Sequence, residues 1–569
     1  MTVSVLPPSP SAFAKASWDD VAPYFDDLAA RPLDPSTIEA WLAEWSRLEE
    51  LVTEAASRAM IAYTIDTSDR EKEADHLRFS TEVLPKMEER SVDLARRLVE
   101  SGHSTPELAT TLARFRTQIE IFRDENVPIF AELEEHSARY QRITGSIMVK
   151  WEGVELPLPH LQPYLKSPDR AVRERAFRAA SLPYIERRDE LATLFDRMYQ
   201  LRMRAARNAG FANFRDYIFP AKFRFDYTPA DCERFHEAIE QTATPAVERV
   251  MEARRKRLGL DVLRPWDLAV DPYREKPLRP FTDASELVGK AQPVFERIDP
   301  LLGREFQTMI DEGLLDLESR KGKAPGGYCE TLHFSGRPFI FMNAVGLVED
   351  VMTLLHEAGH AFHAFAAHRL PLIWQRHPGS EAAELASMSM ELLATPHLTQ
   401  PAGYFTAQDA RSAWLEHLED ILLSLVHIAS VDAFQTWIYT SGQGDNADAR
   451  DAAWLRIRSR FERGVDWSGL QQERVARWHR QLHIFMYPFY YIEYGIAQLG
   501  AVQVWRNSLE DPVRAVARYR EALSLGAVQT LPEIYHTAGA RLTFDVDSIA
   551  ELVQLVERHI DRARSELRS

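Results

Sequence analysis

The run His356-Glu357-Ala358-Gly359-His360 constrains this chain more than any other feature, because its chemistry works only on an α-helix. Residues four apart share a helix face about 6 Å apart along the axis, so two imidazoles can meet at one metal ion about 2.1 Å from each. The apolar flanks Val351 to Leu355 and Ala361 to Phe365 predict such a helix. Glu357 falls at the edge of that face. Its carboxylate is therefore suited to taking a proton from a metal-activated water rather than to binding the ion. The competing reading is a histidine pair in an ordinary core or surface helix, since a five-residue pattern can arise by chance. Gly359 weighs against it: glycine inside a helix costs about 1 kcal/mol relative to alanine, and close approach of another element would explain its presence.

A catalytic metal of this kind takes a third protein ligand and leaves its fourth position open. His363 shares the face of His356, but seven residues of helix rise about 10 Å, which is too far for both to bind one ion with His360. It reads as core or as an outer partner of the ligands. Beyond the break at Pro371, Pro378 and Gly379, the stretch Ser380 to Ala394 predicts a second helix carrying Glu381, Glu384 and Glu391. An antiparallel return would bring one of these acids to the metal. Glu384 has the small neighbours Ala383, Ala386 and Ser387, which permit close packing. Glu391, two turns along the same face, suits an outer partner orienting a histidine. A solvated helix face is the plain alternative for each acid.

The segment His483-Ile-Phe-Met-Tyr487-Pro-Phe-Tyr490-Tyr491-Ile-Glu-Tyr494-Gly supplies possible donors to an oxyanion. Pro488 is expected to begin a helix on which Tyr491 and Tyr494 share a face. The alternative is an aromatic core stripe with satisfied hydroxyls.

Elsewhere the pattern is mainly helical. Ser36 to Glu39 reads as a capping box ahead of Ile38, Trp41, Leu42, Trp45 and Leu48, and Thr105-Pro106 reads as another helix start. Residues 1–16 predict a loose leader or a surface strap. Residues 145–157 predict a short hairpin, and a helix restarts at Ser167-Pro168, which puts a lobe boundary at 165/166. Residues 321–345 contain a glycine-rich turn and an apolar strand, and helices resume from about 347.

Composition limits the function classes. With 569 residues, 45% hydrophobic and 27% charged, the chain can bury a large core and is expected to form two or more lobes. Its net charge of −17 argues against nucleic acid. The start of the chain lacks the basic and apolar regions of a secretion signal, and no uninterrupted apolar run reaches the roughly 18 residues of a membrane span. Two well-separated cysteines, Cys232 and Cys329, fit a reducing, cytoplasmic setting.

These segments together resemble the thimet/oligopeptidase F family of metallopeptidases, M3, and its oligoendopeptidase F branch. Further matching stretches are Asn208 to Tyr217, Arg264 to Asp267, Gly322 to Cys329 and Pro338 to Asn343. The resemblance is close from about residue 165 onwards and looser before it. It implies a mostly α, two-lobed, helical zincin-type fold with a deep substrate channel and a small β-sheet: an N-terminal helical lobe, 1–165, and a catalytic domain, 166–569. It further implies one zinc ion per chain, with His356, His360 and Glu384 as ligands and Glu357 as general base. His483, Tyr487 and Tyr494 match the family's transition-state donors, with Tyr491 a further candidate because the spacing from the histidine differs slightly from thimet-type sequences. Gly326, Gly327, Tyr328, Phe339 and Phe341 would line the channel, where backbone could pair with an extended peptide. The implied activity is cleavage of internal bonds in short oligopeptides. Rivals are a related helical zinc carboxypeptidase or dipeptidyl carboxypeptidase, and a non-catalytic peptide-binding protein.

Overall fold

A computed structural model of the chain describes residues 5–274 and 278–567. Helices dominate it, as the periodicity predicts, and the contacts divide the chain into two units, each assembled from three separate stretches. The first comprises residues 1–121, 278–410 and 500–542, and the second 122–277, 411–499 and 543–569. The sequence boundary at 165/166 falls inside the second unit.

In the first unit, the helix Ile38–Ile65 buries Trp41, Leu42, Trp45, Leu48, Leu51 and Val52 along one face, the stripe that helical spacing requires. Trp45 packs on Trp374 and Phe115 at centroid distances of 4.3 and 5.3 Å, while Trp41 Nε1 donates to the Leu28 carbonyl at 3.0 Å. The capping box expected at Ser36 to Glu39 does not form. Asp34 captures both the backbone N–H and the hydroxyl of Ser36, and the helix begins after Thr37 with no side-chain cap. The leader is a packed strap from Pro10 on, since Phe13 and Ala16 are buried in this core; residues 1–4 lie outside the described part.

The three-stranded sheet of this unit has the order β3–β5–β4, formed by β3 (Leu315–Glu318), β4 (Tyr328–Leu332) and β5 (Arg337–Ala344). β5 runs parallel to β3 and antiparallel to β4, with Tyr328 opposite Phe341. Among the described residues β4 pairs only with β5, which leaves its other edge without a strand partner.

In the second unit the expected hairpin is present as β1 (Met148–Trp151) and β2 (Val154–Pro157). Val149 and Trp151 alternate inward against Leu161, Ala176 and Ala180. The helix restarts at Arg170 rather than at Ser167-Pro168, because the Asp169 side chain accepts from the Ala171 N–H and outcompetes the serine as cap. Likewise Pro106 opens only a short 3₁₀ turn, and the α-helix proper starts at Ala109. The 34-residue helix Ala407–Thr440 has a window of mean hydropathy 1.5, of which 72% is buried inside the protein.

Candidate metal centre and a histidine–tyrosine cluster

The metal motif lies on the helix Val348–Ala367, which turns back into the helix Ser380–Ala394. Gly359 explains how closely these helices meet. A Cβ there would fall 2.5 Å from Ser387 Cα and 2.7 Å from the Ala386 carbonyl oxygen, distances no side chain can occupy. The small residues of the second helix and the glycine of the first are two halves of one contact, and it carries Glu384 to the histidines.

His356 Nε2 lies 3.4 Å and His360 Nε2 3.7 Å from Glu384 Oε2, and the ligand atoms of all three lie within 4.8 Å of one another. Donors about 2.1 Å from a tetrahedral centre stand roughly 3.4 Å apart, so this spacing fits one small cation. Two imidazoles and a carboxylate are also the borderline-soft donor set that zinc favours. Glu391 Oε1 sits 2.7 Å from His356 Nδ1, which turns the opposite ring nitrogen towards Glu384. Glu381 is buried but does not belong to the convergent group.

The electrostatics follow from burial and from these carboxylates. Burial opposes a charge on His356, yet hydrogen bonds to Glu384 and Glu391 hold its pKa well above the usual histidine value. His360 is pushed down to about 4 by burial, which outweighs the attraction of Glu384. Burial raises Glu357 to about 7 against the pull of His356. His363 is driven down to about 3 by burial and lies in the core.

The glycine-rich turn is held by side chains that sequence reading passed over. Asn343 Nδ2 donates to the carbonyls of Ala324 and Gly326 at 2.8 and 2.9 Å. Lys323, its side chain fully buried, donates to Asp316 and to the carbonyls of Glu318 and Met342. Gly326 and Gly327 are exposed, and Gly326 has φ +101°, where a side chain is strained. Tyr328 stacks on Phe341 at 4.8 Å and its hydroxyl meets Thr64 at 2.6 Å. Phe339 and Phe341 face the core beneath the sheet, so any substrate contact they make runs through backbone.

In the second unit His483 lies on a short helix, Leu482–Met486, and the next helix begins at Tyr491, not at Pro488. Phe489 turns the chain between them with φ +63°, and two buried arginines hold that turn. Arg202 donates to the carbonyls of Ile484 and Phe485, and Arg224 to the Phe489 carbonyl and to Glu493 Oε1. Arginines of this kind are read as surface charge in a sequence, and nothing in the motif signals them. The turn gathers rings around His483, with Tyr491 at 4.8 Å, Tyr490 at 6.0 Å and both Tyr487 and Tyr494 at 6.1 Å between centroids. Tyr487 is 51% exposed and the other three are half-buried, whereas Phe489 and Ile492 fill the core. The fully buried aromatic stripe is therefore not what forms. Tyr490, left outside the donor set by the sequence reading, is as near as its neighbours.

A mostly helical fold with a small sheet, a His-Glu-x-x-His helix and an acid returned by the next helix is the arrangement that the resemblance to helical metallopeptidases implies. The chain belongs to peptidase family M3: residues 163–553 match Peptidase family M3 and residues 9–119 match the Peptidase M3 N-terminal domain. It is 23% identical over 417 residues to Oligopeptidase PepF of Bacillus subtilis (strain 168), covering 70% of this chain and 58% of that protein. To the chromosomal Oligoendopeptidase F of Lactococcus lactis subsp. cremoris it is 22% identical over 323 residues, or 56% and 52% of the two lengths. The chain thus spans little more than half the length of these relatives. The solved structure of PZ peptidase A with inhibitor 2 superposes with a TM-score of 0.87 at 28% identity, covering 97% of both chains.

Proposed function

We propose that this chain is a zinc-dependent endopeptidase that hydrolyses internal peptide bonds of short oligopeptides. The observation that carries the reading is the convergence of His356, His360 and Glu384 on one point, with Glu391 on His356 Nδ1 and Glu357 within electrostatic reach of His356 and Glu384. One zinc ion per chain would be held by those three side chains, and when bound it would supply Lewis acidity to water and to the scissile carbonyl. Glu357 accepts the proton of the attacking water on its carboxylate and delivers it to the leaving amine nitrogen. A pKa near neutrality suits a group that must do both. Glu391 keeps His356 in the tautomer whose Nε2 faces inward. His483, Tyr487, Tyr491 and Tyr494 are read as donors to the oxyanion of the transition state. Tyr490 joins them as a candidate. Gly326, Gly327 and the edge of β4 that has no strand partner among the described residues offer backbone to an extended peptide, with Tyr328, Phe339 and Phe341 packed beneath.

Residues 166–569 are read as the catalytic domain and 1–165 as an N-terminal helical lobe, a division by descent close to the family match that starts at residue 163. Short peptides rather than nucleic acid or membrane are the partners this reading expects. Two cysteines far apart in the sequence suit the cytoplasm. The test is incubation of the purified protein with a peptide library, including members blocked at both ends, with and without chelator. Chelator-sensitive internal cuts in blocked peptides support an endopeptidase; cuts only at free C-termini would replace it by a carboxypeptidase.

A further inference from the structure

A guanidinium can only donate hydrogen bonds, and that rule fixes a chain of protons in the second unit. Arg458 is buried, with one Nη1 hydrogen for Ser430 Oγ at 2.6 Å and the other for His427 Nδ1 at 3.1 Å. Its Nη2 donates to Glu462 Oε1 at 2.8 Å. His427 Nδ1 is therefore an acceptor, and the ring proton sits on Nε2, 3.2 Å from Gln481 Oε1. Burial keeps this imidazole neutral, with its pKa pushed to about 3. The orientation of the Gln481 amide follows, because an N–H can be met only by the oxygen. Gln481 Nε2 is left with two hydrogens and faces two acceptors, Tyr491 Oη at 2.7 Å and His483 Nδ1 at 3.3 Å. Each link from Arg458 to His483 Nδ1 then has a single polarity.

We infer that Arg458, His427 and Gln481 are positioning residues that fix His483 as its Nε2–H tautomer and direct a donor onto the oxygen of Tyr491. A histidine so fixed offers a hydrogen at Nε2, the form an oxyanion donor needs, without having to ionise. Tyr491, accepting from Gln481, has its own hydroxyl hydrogen left to donate, and its O–H is the more polarised for it. The kinetic consequence, though not the tautomer itself, rests on the proposed role of His483 in turnover.

The test uses the zinc-loaded full chain with ¹⁵N-labelled histidine, the His483 signals being identified by their loss in His483→Gln. Wild type should give a pyridine-type Nδ1 and a pyrrole-type Nε2. Gln481→Glu keeps an oxygen for His427 but turns an acceptor towards His483, so a proton should move to Nδ1, giving the other tautomer or the imidazolium. Gln481→Met, which keeps the bulk and offers no hydrogen bond, should leave a mixture of tautomers. Both variants should lose about 10- to 100-fold in kcat with little change in KM. A wild-type His483 protonated on Nδ1, or signals unmoved in both folded variants, would overturn the inference. A tautomer switch with unchanged kcat would uphold it and count instead against His483 as a participant in turnover.

Discussion

Glu357 and Glu384 are both buried carboxylates near the two histidines, and what separates them is which one meets the histidine nitrogens. Glu384 Oε2 lies within 3.7 Å of both histidine Nε2 atoms, whereas Glu357 is not in the convergent set. Glu384→Ala should therefore lower zinc retention after dialysis, while Glu381→Ala should leave it at the wild-type level. Metal loss by the Glu381 variant instead would reassign the ligand. For the tyrosines, removing one oxyanion donor costs about 3–4 kcal/mol in the chemical step, or 10²–10³ in kcat, with a much smaller effect on KM. Steady-state kinetics of Tyr487→Phe, Tyr491→Phe and Tyr494→Phe should include Tyr490→Phe as a fourth test variant, since its ring also stands beside His483. Four unchanged kcat values would remove the tyrosines from the mechanism.

At the scale of elements, the contact between helices Val348–Ala367 and Ser380–Ala394 rests on one missing side chain. Gly359→Ala must push the second helix off its backbone contact, because Ser387 Cα and the Ala386 carbonyl cannot rotate away as a side chain would. We expect a loss of about 1–3 kcal/mol despite alanine's better helix propensity, together with weaker metal retention as Glu384 moves. A thermal melt equal to wild type would contradict the account. This contact was legible in the sequence, since a costly glycine on one helix and a run of small residues on the next each asked for a partner. The position of Glu391 was legible for the same geometric reason. Less so were the helix starts. Asp34 and Asp169 displaced the serine caps, because several short polar side chains near a helix start compete and sequence spacing does not choose among them. The turn at Phe489 was missed outright. It is held by Arg202 and Arg224 from more than 260 residues away, and no local pattern announces a tertiary contact of that range.

At the scale of the whole molecule, the helical content followed from periodicity and the small sheet from the family resemblance and the one apolar run at Pro338 to Asn343, but the assembly of each compact unit from three chain stretches did not. Such assembly depends on which faces meet, and single-sequence patterning records only that a face is apolar. Global stability carries a mark of this burial. Glu49 is raised from the usual 4.5 to about 7 by burial, against hydrogen bonds from Ser91, Trp45 and Trp374. The folded state then holds a proton that the unfolded chain has released. This contribution is complete below about pH 4.5, declines as pH rises towards 7 and is lost above it. Denaturant unfolding of wild type should accordingly weaken from pH 5 to pH 8 relative to Glu49→Gln, by on the order of 2–3 kcal/mol. Parallel pH profiles for the two proteins would remove Glu49 as the cause.

We propose that this chain uses Glu357 to hydrolyse internal peptide bonds at a metal held by His356, His360 and Glu384. The most direct test is the rate of cleavage of a peptide blocked at both ends, measured for wild type and Glu357→Gln at matched zinc content. We expect one zinc per chain in both proteins, internal cleavage by wild type, and a loss of about 10²–10⁴-fold in the variant, whose amide cannot accept the proton. Near-normal cleavage by a zinc-replete Glu357→Gln protein would contradict the proposal.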